Sequence, residues 1–110
     1  MQEFAMNIAL PKDSIAYLEG EGVAEGFTEG MPGYFALWDP NEIEATNKDL
    51  QIQTYAPGFV GFGTDGGGEL LAFDASGAVF MLPLIGMEPE CANEIAKSWL
   101  EVARRITPRT

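Results

Sequence analysis

Runs of apolar residues in the middle of the chain predict an antiparallel sheet. Three runs, at residues 58–63, 69–74 and 78–84, are rich in aromatic and aliphatic side chains, and short glycine-containing segments at 64–68 and 74–77 separate them. Such side chains populate strands, and glycine supplies the positive φ that tight turns need. The pattern therefore predicts a meander of three strands.

Residues on both sides of the meander extend the prediction. Residues 34–38 are almost entirely apolar and predict another strand, and residues 50–55 alternate between apolar and polar as in a half-exposed strand. Glycines at positions 20, 22, 26, 30 and 33 predict a loop before residue 34.

Apolar positions three and four residues apart predict a long C-terminal helix. The stripe consists of Ala92, Ile95, Ala96, Trp99, Val102, Ala103 and Ile106. Pro89 suits the first turn of that helix, and Arg104 and Arg105 suit its end, where the helix dipole favours cations.

Two shorter helices complete the predicted fold. One begins at Asp39, which precedes Pro40 and stands three residues before Glu42, and the other covers residues 10–18. We therefore predict an α+β fold in which residues 1–110 form a single domain. In it, helices pack on one face of the antiparallel sheet, and the C-terminal helix is the longest.

The charge of the chain narrows the classes of function. The 110 residues include 17 acidic and 6 basic side chains, which gives a net charge of −11. Such a charge repels nucleic acids and anionic membranes, so neither is expected as a partner. The absence of histidine excludes imidazole catalysis, and a single cysteine excludes an internal disulfide.

No motif in the sequence predicts a catalytic residue, a cofactor or a metal. Gly61, Gly63 and Gly66 match a G-x-G-x-x-G pattern, but a dinucleotide site needs a helix after the glycines, and a strand is predicted there. Asp65, Glu69 and Asp74 lack the spacing of a calcium loop, and Asp74 is interpreted as a turn former. With no histidine to activate it, Cys91 is interpreted as a small, partly buried apolar residue.

The compartment is expected to be the cytoplasm. Residues 1–10 contain no lysine or arginine and so lack the basic region of a secretory signal. The longest apolar run, residues 78–87, is interrupted by Pro83 and Gly86 and is half the roughly 20 residues of a membrane-spanning helix.

The order of these segments is similar to that of a known family. The similarity begins at residues 10–11, continues through 34–38 and 57–60, centres on residues 62–69 with Ala72, Phe73 and Asp74, and closes at 96–100. Over about residues 10–104 the chain thus resembles the SUKH superfamily, which includes fungal cell-wall assembly regulators and bacterial immunity proteins. The short N-terminus is a departure, since it leaves little room for the first helix of many members.

The resemblance implies an α+β domain without enzymatic activity. It also implies that the glycine motif is scaffolding rather than a ligand site; its residues are Gly63, Asp65, Gly66, Gly67, Gly68 and Asp74. Bacterial members bind and neutralise a cognate toxin, often a nuclease or a deaminase. An acidic protein suits that role, because it is steered towards the basic cleft of such a toxin.

A protein partner, a basic toxin domain, is therefore the leading expectation. The candidate contacts are acidic residues in the glycine-rich segment and around the short helix: Glu21, Glu25, Glu29, Asp39, Glu42 and Glu44. A regulatory or scaffold protein that binds a housekeeping partner is the alternative, and a small-molecule or metal-binding domain or a cryptic hydrolase is a third.

Overall fold

The computed structural model describes residues 25–107 and arranges six strands in one antiparallel sheet. The strands are β1 (Glu25–Phe27), β2 (Tyr34–Leu37), β3 (Val60–Thr64), β4 (Glu69–Phe73), β5 (Val79–Pro83) and β6 (Asn93–Ala96). Each strand pairs with the next one along the chain. The α+β class and the predicted meander, which is β3–β5, are confirmed; the helix predicted over residues 10–18 lies outside the described residues.

The helices between and after the strands are short. They are α1 (Ile43–Asp49), α2 (Ile52–Tyr55) and α3 (Trp99–Ala103), and 3-10 turns occur at Pro40–Glu42 and Pro89–Cys91. The predicted helix start is confirmed, because the Asp39 carboxylate accepts a hydrogen bond of 2.8 Å from the Asn41 N–H at the head of the first 3-10 turn.

The prediction of a strand over residues 50–55 is wrong, since α2 lies there. Gln51 adopts a left-handed conformation with φ of 57° and turns the chain from α1 into α2. The buried positions Ile52 and Ala56 are four residues apart, which is the spacing of one helical face. Their burial against the sheet outweighs the apolar–polar alternation of the segment.

The prediction of one long C-terminal helix is also wrong. The chain instead forms the 3-10 turn Pro89–Cys91, then β6, which pairs with β5, and only then α3. The Ser98 side chain caps α3 by accepting a hydrogen bond from the Glu101 N–H, at 3.2 Å. Asn93–Ala96 pairs with β5 as a strand and therefore does not join the helix. The helical spacing of apolar residues is realised only at Trp99, Val102 and Ala103.

Both faces of the sheet are covered by apolar side chains. Every residue of β4 from Leu70 to Phe73 is buried, so alternate residues point into two separate clusters. The first cluster includes Phe35, Phe62, Leu71, Phe73, Val79, Trp99 and Val102, and the second includes Ile52, Ala56, Leu70, Ala72, Leu82 and Met87. Thus α3 packs on one face and α2 on the other, and the prediction that helices cover one face only is wrong.

The segment after α3 returns to the far edge of the sheet. The Thr107 N–H donates to the Phe27 carbonyl at 2.9 Å, the Glu29 N–H donates to the Arg105 carbonyl at 2.8 Å, and Thr28 forms a bridge with Ile106. Gly26 consequently lies in a strand and not in the predicted loop. Because β6 forms the opposite edge, residues 97–107 connect the two edges across one face of the sheet.

A buried asparagine takes the place of a neighbouring strand beside β3. The register of β2 pairs it with Gly63 and Thr64 but does not reach Gly61. There the Asn47 side chain accepts a hydrogen bond from the Gly61 N–H and donates one to the Gly61 carbonyl, both at 2.9 Å. It also donates to the Ile43 carbonyl at 2.7 Å and accepts from Gln53 Nε2 at 3.0 Å. The Asn47 amide thus makes all four of its hydrogen bonds.

Truncation of Trp99 is expected to remove much of the stability. Its ring packs edge-on against Phe35 and Phe62, with centroids 5.4 and 5.7 Å away. We expect Trp99→Ala to lower the free energy of unfolding by about 3–5 kcal/mol. Leu100→Ala is the control in the same helix, since Leu100 is 42% exposed. Urea denaturation measures both, and equal losses would contradict the packing described.

We expect Asn47→Ala to lower the free energy of unfolding by about 3 kcal/mol, because it leaves buried backbone groups of Gly61 without partners. Asn41→Ala is the matched control at an exposed position of the 3-10 turn, and we expect it to stay within about 0.5 kcal/mol of wild type. Urea denaturation compares the two variants. A cost for Asn47→Ala no larger than that of the control contradicts the role assigned to this amide.

Candidate functional site

The predicted acidic contact residues fall on separate elements and differ in their surroundings. Glu25 and Glu29 belong to β1 and the turn after it, whereas Asp39 precedes the 3-10 turn before α1 and Glu42 ends it. All four are exposed, and Glu21 lies outside the described residues.

Three of these carboxylates already have partners within the protein. Glu25 accepts a hydrogen bond from the Tyr34 hydroxyl, and this bond, with some desolvation and the charge of Glu25, raises the pKa of Tyr34 above its usual value. Asp39 caps the 3-10 turn, and Glu44 forms an ion pair of 3.4 Å with Lys48. Among the predicted contacts, Glu29 and Glu42 are therefore the best placed to meet a partner.

Residues 65–68 of the glycine motif form the hairpin loop between β3 and β4. One oxygen of the Asp65 carboxylate accepts hydrogen bonds from the Gly67 and Glu69 N–H groups, at 2.7 and 3.0 Å. Gly66 and Gly68 have positive φ values of 77° and 100°. A side chain at Gly63 would place its Cβ 2.7 Å from the Ala36 carbonyl oxygen of β2. In this geometry the motif shapes the backbone of the turn.

The next hairpin loop is built in the same way around Asp74. Its carboxylate accepts hydrogen bonds from the Ser76 N–H and hydroxyl, at 2.9 and 2.6 Å, and from the Ala78 N–H at 3.2 Å. The side chain thus closes the turn into β5, as the sequence predicts for an aspartate in this position.

The described part of the chain can also be examined for a metal site, a membrane span and a reactive thiol. Within residues 25–107, no three carboxylate or thiol groups converge as a metal site would require. No helix in that range has the length and apolar character needed to cross a bilayer. Cys91 is exposed at the end of a 3-10 turn, so the expectation that it is partly buried is wrong. The helix that was to bury it does not form.

The surface also contains a groove, lined mostly by apolar residue types, that no sequence pattern predicted. It has a volume of about 490 Å³ and is lined by Leu50, Tyr55, Leu84, Gly86, Met87 and Glu88. We call it the 50–88 groove. The first two residues come from the α1–α2 region, and the others come from the segment that follows β5. The apolar run 84–87 was the available signal, but in sequence it is indistinguishable from the end of a buried strand.

Acidic residues accompany the apolar lining of the 50–88 groove. Glu88 is part of its wall, and Asp49 and Glu90 are exposed neighbours in sequence. Residues 49–96 contain no lysine or arginine, and Lys48 is ion-paired with Glu44. The groove therefore combines apolar contact area with negative charge.

Comparisons with known proteins add no family to this description. No protein-family model and no curated protein matches the chain. The resemblance to the SUKH superfamily thus stays a prediction, and the function has to be inferred from the charges and shapes of the described surface.

Two glycines in one loop provide a test of its geometry. Gly66→Ala forces a side chain into positive φ with its Cβ 3.0 Å from the Tyr34 ring, and we expect it to cost about 1–2 kcal/mol of stability. Gly67→Ala is the matched control, because its Cβ meets only Asp65, at 3.7 Å. Thermal denaturation measures both. If Gly67→Ala is the more damaging change, the turn differs from the one described.

Proposed function

We propose that this protein is a non-enzymatic protein-binding domain, and most specifically an immunity protein that neutralises a basic bacterial toxin of the nuclease or deaminase type. The resemblance to the SUKH superfamily supports the toxin as partner. The observation that carries the proposal is the excess of carboxylates on the surface.

Three of the four basic side chains among the described residues form ion pairs with glutamates three or four residues away. Residues 25–107 contain 13 acidic and 4 basic side chains. Lys48 pairs with Glu44, Lys97 with Glu94 at 2.7 Å, and Arg105 with Glu101 at 3.7 Å. The hydrogen bond to Glu94, followed by the charge of Glu94, raises the pKa of Lys97, which keeps this lysine charged.

This surplus of negative charge suits a partner that binds phosphates. A nuclease or a nucleic-acid deaminase presents a basic cleft to its substrate, and an acidic surface attracts that cleft over a distance of about one Debye length, 8–10 Å at physiological salt. Exposed carboxylates such as Glu29 and Glu42 then replace phosphates as the partners of its lysines and arginines. Such a role needs no catalytic group.

Co-expression with a toxin is the direct test of this function. The probe is the product of a toxin-like reading frame adjacent to the gene of this protein, expressed in cells with and without it. We expect cells to survive only when the protein is present. Equal killing in both cases contradicts the immunity function, and binding without protection favours the regulatory alternative.

Charge reversal is expected to slow the association with that toxin. The double variant Glu29→Lys/Glu42→Lys replaces two exposed negative charges with two positive ones, so we expect a slower on-rate at low salt and a nearly unchanged off-rate. Stopped-flow kinetics over a range of salt concentrations measure both rates. The wild-type and variant on-rates should converge at high salt, and a variant that binds as fast as wild type at low salt contradicts electrostatic steering.

A further inference from the structure

The walls of the 50–88 groove are held in place by the backbone. On one side, the Leu50 N–H donates to the Thr46 carbonyl at 3.0 Å, and the Ala56 N–H donates to the Ile52 carbonyl at 2.7 Å. On the other side, the Leu84 N–H donates to the Gly68 carbonyl at 2.9 Å. The groove is therefore formed before any partner arrives, which lowers the entropic cost of binding.

Large apolar side chains are exposed around the 50–88 groove. Tyr55 in its wall is 53% exposed, and Ile85, which lies between the lining residues Leu84 and Gly86, is 93% exposed. Met87, by contrast, is buried and belongs to the core cluster beneath the sheet. Removal of apolar surface from water is favourable, so a partner that covers Ile85 and Tyr55 gains affinity.

Charge selects which occupant fits this apolar surface. Glu88 in the wall and the neighbouring Asp49 and Glu90 make the surroundings negative, and residues 49–96 offer no lysine or arginine in return. A second copy of the chain brings another net charge of −11 and is repelled. A segment that carries lysine or arginine beside an apolar side chain is attracted.

We propose that the 50–88 groove is a docking site for a basic peptide segment of the partner protein. One large apolar side chain of that segment fills the groove between Tyr55 and Met87 and packs beside Ile85. Lysines or arginines on either side of it pair with Asp49, Glu88 and Glu90. The inference rests on the proposed protein-binding function and adds to it the site and the chemistry of the contact.

A phage-displayed library of random peptides tests this site without knowledge of the partner. The wild-type protein is the bait, and the variant Tyr55→Ser/Ile85→Ser is used for counterselection. We expect enriched peptides to carry a net positive charge and one aromatic or large aliphatic residue, and to bind the variant about tenfold or more weakly. Leu100→Ser is the matched control on α3, and it should bind these peptides like wild type.

Several outcomes would overturn the docking site. They are the absence of enrichment, enriched peptides without basic residues, and equal binding to wild type and to Tyr55→Ser/Ile85→Ser. Urea denaturation of the two variants checks that their fold is intact. A wild-type dimer that Ile85→Ser dissociates, seen by sedimentation, would assign the groove to a second copy instead.

The co-expression assay separates this inference from the proposed function. If wild type protects cells from the toxin and Tyr55→Ser/Ile85→Ser protects them equally well, the groove is not the docking site, while the immunity function stands. If wild type gives no protection but the peptides bind in the groove, the immunity function fails and the docking site stands.

Discussion

The double hydrogen bond between the Asn47 amide and the backbone of Gly61 determines how α1 and α2 meet the sheet. It completes the hydrogen bonding of β3 where β2 does not reach, and it fixes α1 against that strand. Gly61 permits this closeness, because a Cβ there would lie 2.7 Å from the Ile52 side chain of α2. Since α2 also carries Tyr55, the position of one wall of the 50–88 groove follows from the same contact.

The acidic residues serve two different purposes. Asp39, Asp65 and Asp74 each accept hydrogen bonds from backbone N–H groups and so determine the shapes of three turns. Glu29 and Glu42 are exposed side chains that contribute to the negative electrostatic potential around the molecule. All of them contribute to the net charge, but an aspartate that holds a turn is less free to reach a partner than Glu29 or Glu42. Composition alone therefore overstates the number of candidate contact residues.

The features that sequence predicted well are those with local causes. The β3–β5 meander and the cap at Asp39 follow from strand patterns and turn chemistry within a few residues. The segments 50–55 and 92–106 were misassigned, because contacts with distant strands decided between two patterns that the sequence allows equally. Ser98, followed three residues later by Glu101, was the local signal for the start of α3. The groove could not be predicted from the sequence, since the exposure of Tyr55 and Ile85 depends on tertiary structure.

The pairing of residues 105–107 with β1 affects when the edge of this strand becomes covered during synthesis. The Phe27 carbonyl receives its hydrogen bonds from Thr107, which is 80 residues later in the chain. A ribosome adds about 5–20 residues per second, so β1 waits several seconds for the segment that covers its outer edge. Until residues 105–107 have been synthesised, the Phe27 carbonyl and the Glu29 N–H lack these native partners, and an edge strand in that state can pair with another chain.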